Sequence, residues 1–96
     1  MAREVVWTEP AWQDVESAAE FINRDSESYA AAFVQEIKEA VASLSQFAER
    51  GRVVPEFADE SVRELLVRPY RLVYEVSSEK VIVLALVHGA RRIGRS

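Results

Sequence analysis

Residues 69–93 read PYRLVYEVSSEKVIVLALVHGARRI. Two runs rich in β-branched and aromatic residues, Tyr70 to Val76 and Val81 to Val87, flank the polar spacer Ser77-Ser78-Glu79-Lys80. Such residues suit a pleated, half-buried surface, and a spacer this short joins strands only when they run antiparallel. A histidine and two arginines follow the second run directly, so positive charge gathers where that strand ends.

Working outward, Val62 to Val67 reads as a further strand, joined to Tyr70 by the turn Arg68-Pro69. The three strands form an antiparallel meander. Upstream, RVVPEFADES (52–61) has no hydrophobic period, and Pro55 argues against a central strand, which predicts a surface loop with Val53, Val54 and Phe57 exposed. Gly51 stands where a helix would end in the left-handed conformation.

Two amphipathic segments precede that glycine. Trp12, Val15, Ala19 and Ile22 recur at helical spacing, with Thr8 placed as N-cap and Pro10 in the first turn, which predicts a helix from about Glu9 to Asn23. Phe33, Ile37, Val41 and Leu44 mark a second helix, which Ser26 or Ser28 can cap. The link between them is short enough to force an antiparallel hairpin. Ahead of the helices, REVVW (3–7) reads as a first strand, with Trp7 and Trp12 as core anchors where that strand meets the helix. The predicted fold is α+β, in the order β-α-α-β-β-β, with a helical hairpin packed on a small, mainly antiparallel sheet.

Residues 1–96 are read as a single domain, since halves of so short a chain would not bury cores of their own. The absence of cysteine excludes disulfides, thiolate metal sites and cysteine nucleophiles. MAREVVW lacks a secretory pattern and the longest apolar run, Val81 to Val87, is too short to cross a bilayer, so a cytoplasmic location without membrane contact is expected. The net charge of -4 is uneven: residues 1–48 hold three basic and nine acidic side chains, residues 49–96 nine and seven. Ten of the twelve basic residues are arginine, the type that makes bidentate contacts with phosphate or carboxylate, so a localised anionic partner is expected.

The run VIVLALV is apolar on both faces, which a sheet covered on one side does not require. Either the neighbouring loop and tail screen its second face or a partner chain does. With a single histidine and no glycine-rich phosphate loop, no metal or nucleotide cofactor is expected. Metal-free RNA cleavage needs a base, a cation beside the phosphate and an acid for the leaving oxygen. His88 or Glu64 can shuttle protons, while Arg63, Arg71 and Arg91 can hold phosphate. Each also has a plainer role: His88 as a surface histidine, Arg71 as a solvent-facing residue paired with Glu64 or Glu75, Arg91 and Arg92 as solubilising charges, Tyr70 and Tyr74 as core aromatics.

The opening VVWTEPAWQDV, the helix pair, VRELLVRPYRLVYEV and the closing VIVLALVHGARR together resemble the RelE/ParE superfamily of toxins from bacterial type II toxin-antitoxin systems. The resemblance implies a cognate antitoxin whose C-terminal segment wraps the toxin, with Val53, Val54, Phe57, Arg91 and Arg92 as candidate contacts. It implies DNA contact only through the antitoxin, and a target that is either DNA gyrase or the ribosome. Arg71 matches the arginine of the family's YR strand motif, and Arg91 the arginine after the last strand. Of the two lysines that RelE-like ribonucleases carry on the preceding strand, only Arg63 offers a counterpart, and no tyrosine follows Val87. Half of the ribonuclease set is thus missing, which favours a ParE-like toxin with Arg71, His88, Arg91 and Arg92 as target contacts. Ribosome-dependent mRNA cleavage is the alternative, and a non-toxic binding protein derived from such a toxin is a third.

Overall fold

A hydroxyl closes the first turn of each helix. In the computed structural model, which describes residues 2–89, Thr8 Oγ1 accepts from the amide of Ala11 at 3.2 Å and opens α1 (Glu9–Asn23). Ser26 Oγ accepts from Tyr29 N at 3.2 Å and opens α2 (Glu27–Ser43). Thr8 also donates to the carbonyl of Val83 at 2.7 Å, so one side chain caps the helix and fastens its start to the sheet.

The buried face of α1 consists of Ala11, Val15 and Ala18, not the expected stripe through Trp12 and Ala19. Two alanines let the helix lie close to the sheet, and Trp12 turns to the flank, where its ring meets Trp7 edge-on at 5.3 Å. In α2 the expected stripe holds: Ala30, Phe33, Ile37 and Val41 are buried, and Leu44 follows just past the helix end.

The sheet contains β1 (Glu4–Trp7), β2 (Arg52–Val53), β3 (Val62–Val67), β4 (Tyr70–Val76) and β5 (Lys80–His88), in spatial order β1-β5-β4-β3-β2. β1 runs parallel to β5, while the other neighbouring pairs are antiparallel. The β-α-α-β-β-β frame is therefore present, with one addition: a two-residue edge strand opens the segment 52–61 that was expected to be loop. Pro55 falls outside this strand, as its missing amide requires.

Two expectations for this region are overturned. Val54 is fully buried rather than exposed, packed with Val62 and Val73 in a second apolar cluster that Phe57, Leu84 and Ala85 border. Its neighbours Val53 and Phe57 are half-buried. Gly51 does not end α2, which stops at Ser43, and no glycine among the described residues has a positive φ. A β-carbon at Gly51 would lie 2.5 Å from Tyr74 Oη and 2.6 Å from the carbonyl of Glu64, so the position demands closeness, not an unusual dihedral.

The doubly apolar run also resolves. Val73 pairs with Ala85 but Tyr74 pairs with Val83, leaving Leu84 as an extra residue in β5. The bulge switches parity, so Val81, Val83 and Leu86 all join the main core under the helices, whereas Leu84 and Ala85 join the second cluster. The segment after β2 thus screens part of the sheet face that the helices leave open. Neither helix is long and apolar enough to cross a membrane.

Candidate functional site

Cross-strand partners share a face of a sheet, so the register sorts the basic residues. Arg63 pairs with Tyr74, and His88 pairs with Tyr70. Both tyrosines pack with the main core, which puts Arg63 and His88 on the helix side. Arg71 pairs with Leu66 and Val87 and lies on the opposite side, with Val73 and Glu64.

On that side Arg71 sits in a buried ionic cluster. Its Nε donates to Glu64 Oε1 at 2.7 Å, and its two terminal nitrogens donate to the two carboxylate oxygens of Glu56 at 3.0 and 2.9 Å. The carboxylate of Glu64 also accepts from Arg52 Nε through Oε2. Glu64 is 1% and Arg71 7% exposed, so strand register places both charges where only mutual pairing makes burial tolerable. The guanidinium pKa is raised by the bidentate bond from Glu56, against the opposing effect of burial, with Glu64 adding to the rise. The expected solvent-facing Arg71 is therefore a buried one, and one of its two partners, Glu56, has no counterpart in the sequence-based prediction.

Arg63 spends its guanidinium on backbone: its Nη1 donates to the carbonyl of Gly51 at 2.9 Å and, more weakly, to that of Glu49. It lies half-buried over the turn behind α2. Tyr74, fully buried beside it, donates to the carbonyl of Ala48 at 2.8 Å and accepts from Gly51 N at 2.9 Å. Burial pushes the Tyr74 phenol above its ordinary pKa.

His88 is exposed at the end of β5, its ring edge-on to Tyr70 at 5.6 Å, and Tyr70 in turn packs on Phe33 at 5.3 Å. Beside it a surface hollow of about 340 Å³ is lined by Asp14, Ser17, Phe21, Tyr70 and His88 among others. Asp14 is committed to the backbone there, accepting from Leu86 N at 3.1 Å. Phe21 is 62% exposed, a large apolar group at the rim that helical periodicity had not marked as functional.

Arg91 and Arg92, the other predicted contacts, lie outside the described residues. Of those within, the fold separates Arg71 from Arg63 and His88 by the thickness of the sheet. Glu64, considered as a proton shuttle, is held between two guanidinium groups. Among the described residues no group of three or more histidine or acidic side chains is arranged to hold a metal ion.

The family model described as ParE toxin of the type II toxin-antitoxin system parDE matches residues 5–93. A curated relative, Toxin RelE2 of Caulobacter vibrioides, is 34% identical over 89 residues, covering 92% of this chain and 97% of its own. Among solved structures, a chain of the chromosomal ParDE toxin-antitoxin system from P. aeruginosa superposes with a TM-score of 0.74 at 26% identity, covering 91% of this chain and 96% of that one. A chain of the toxin-antitoxin complex RelBE2 from Mycobacterium tuberculosis superposes with a TM-score of 0.61 at 20% identity over 92% and 99% of the two chains, a likeness of fold.

Proposed function

We propose that this chain, which belongs to the family of ParE toxins of type II toxin-antitoxin systems, arrests growth by binding DNA gyrase and is held inactive by a cognate antitoxin. The observation that carries this reading is the state of Arg71. Metal-free RNA cleavage needs cations aimed at one phosphate, with a proton donor beside them. Here the guanidinium of the YR motif is saturated by Glu56 and Glu64, and Arg63 and His88 lie on the other side of the sheet. Two carboxylates offset Arg71 and Arg52, which makes this four-residue cluster a poor cradle for a polyanion.

A toxin that acts by binding needs no such convergence. The exposed surface around His88 and Phe21 then serves as contact area, with Arg91 and Arg92 as candidate anionic contacts. An antitoxin partner is supported by the likeness to a chain of a ParDE system, and half-buried Val53 and Phe57 remain candidate contacts for it. A gyrase target and an antitoxin partner both imply a cytoplasmic protein.

The relative called Toxin RelE2 favours a second reading, ribosome-dependent mRNA cleavage. Pulse-labelling of DNA and protein synthesis just after induction without antitoxin separates the two. The gyrase reading expects DNA synthesis to fail first and purified gyrase to lose supercoiling activity. Protein synthesis collapsing first, with mRNA cut at ribosomes, supports cleavage instead. Normal growth on induction of soluble, folded protein supports a non-toxic binding role.

A further inference from the structure

We propose that the outer seam between α1 and α2 is a docking groove for a helix of another protein, about three turns long, whose apolar stripe is flanked by lysines or arginines, whichever target the toxin has. Helical spacing lines the seam with Trp12, Glu16, Ala19 and Glu20 from α1 and with Glu27, Ala31 and Val34 from α2, around a hollow of about 410 Å³. Trp12 and Ala19 belong to the apolar stripe read from the sequence but not to the buried face of α1. They are half-buried, as is Val34, and Ala31 is exposed. The seam therefore has an apolar floor that the chain's own core does not cover.

Charge selects what fits on that floor. Glu16, Glu20 and Glu27 stand exposed at its rim, and among the described residues none of the three is in an ion pair. Glu16 and Glu20 are four residues apart on one helix, a like-charged spacing that destabilises α1 until a cation sits between them. The Lys38 ammonium lies 5.8 Å from the centre of the Trp12 ring, so the acidic stretch begins past that end, at Glu16. Shape selects the form of the partner. Two antiparallel helices present a straight channel, which from Trp12 to Asn23 runs roughly 16 Å, the rise of three turns. Ala19 and Ala31 keep the floor low, which lets a third helix approach closely. A second copy of this chain fits badly, since its helices would bring the same carboxylates to the same groove.

A synthetic helical peptide with a stripe of leucines flanked by lysines tests this against the full chain. Two controls accompany it: the same peptide with glutamate for lysine, and a scrambled sequence of the same composition. Fluorescence anisotropy of the labelled peptides at low and high salt gives the affinities, and amide NMR spectra of the chain give the place. The lysine peptide is expected to bind at least about ten-fold more tightly than either control, to weaken as salt rises, and to shift the amides of Ala19, Ala31 and Val34. Glu20→Gln should weaken it about two- to five-fold, whereas Glu36→Gln, an exposed carboxylate of α2 outside the groove, should leave it unchanged. Ala31→Arg, which raises a long cation from the floor, should weaken it at least about ten-fold while the circular dichroism stays that of the parent. Absence of binding, or shifts gathered around His88 instead, overturns the groove. Equal binding of the scrambled peptide, or equal losses from Glu20→Gln and Glu36→Gln, reduces the attraction to net charge and overturns it too. Dimerisation of the full chain that Ala31→Arg abolishes assigns the seam to a second copy and overturns the foreign helix.

Discussion

Arg71 and Glu64 meet across adjacent strands at 2.7 Å, and each has a second partner of opposite sign, Glu56 for the arginine and Arg52 for the glutamate. The four charges form a chain that runs from a half-buried loop carboxylate through two buried groups to a surface arginine, whose side chain is 61% exposed. Stability is expected to depend on the middle of this chain far more than on its exposed end. Glu64→Ala, which strips a buried cation of one carboxylate, should cost about 3 kcal/mol. Arg52→Ala should cost about 0.5–1 kcal/mol, as befits a surface partner. Urea unfolding of the two variants checks the ranking, and equal losses would mean that burial does not govern the cluster.

Tyr74 supplies a prediction in pH. Its phenol is buried and its pKa lies above the ordinary tyrosine value, with desolvation as the main cause, so the folded chain keeps a proton that the unfolded chain gives up. The folded state binds more protons in that window, and stability therefore falls as pH rises. The contribution is intact below about pH 10 and is lost as pH climbs through the higher folded value. Tyr74→Phe should remove this alkaline dependence and cost about 1–2 kcal/mol at neutral pH, because Ala48 O and Gly51 N lose their buried partner. Denaturant midpoints measured from pH 7 to 11 for both chains decide it.

The helix starts were legible because their signals are local, Thr8 and Ser26 being N-caps by residue type and position, whereas the end of α2 at Ser43 was misplaced at Gly51. The strand frame was legible for the same reason, since the turns at Arg68-Pro69 and Ser77 to Lys80 separate apolar runs cleanly. The bulge at Leu84 was not, because every residue of VIVLALV is apolar and a change of parity leaves no trace in such a run. Val54 was misjudged because an aperiodic segment carries no sign of which side faces inward, and its burial is decided by Val62 and Val73 on strands that follow it. Arg71 was found by resemblance and its pairing with Glu64 was among the expectations, but its burial and its second partner Glu56 were not. Nothing in EFADE distinguishes Glu56, which clasps the arginine, from Glu60, which is exposed.

Gly51 yields a steric prediction. Its amide donates to Tyr74 Oη, and its α-carbon packs so close to β3 that an added methyl would lie 2.6 Å from the carbonyl of Glu64. A backbone carbonyl cannot rotate away as a flexible side chain would. Gly51→Ala should therefore destabilise by about 1–3 kcal/mol through overpacking, despite the unremarkable φ. A variant as stable as the parent in thermal unfolding would show that the turn after α2 shifts freely.

His88 separates a contact role from a catalytic one. It is exposed, it is the last residue of β5, and its ring leans edge-on against Tyr70, so replacing it should perturb the fold by no more than about 0.5 kcal/mol. His88→Gln keeps a polar side chain of similar reach but cannot exchange a proton near neutral pH. If the toxin works by binding, induced cells carrying the variant should still arrest, with DNA synthesis failing on nearly the same schedule as with the parent. If His88 were the acid or base of an RNA cleavage, activity would fall by a factor on the order of 100 or more while the protein stayed folded. DNA synthesis and mRNA cutting after induction, measured alongside the circular dichroism of the purified variant, distinguish these outcomes, because mRNA cutting that the parent shows and the folded variant loses points to chemistry at His88, whereas arrest without mRNA cutting does not.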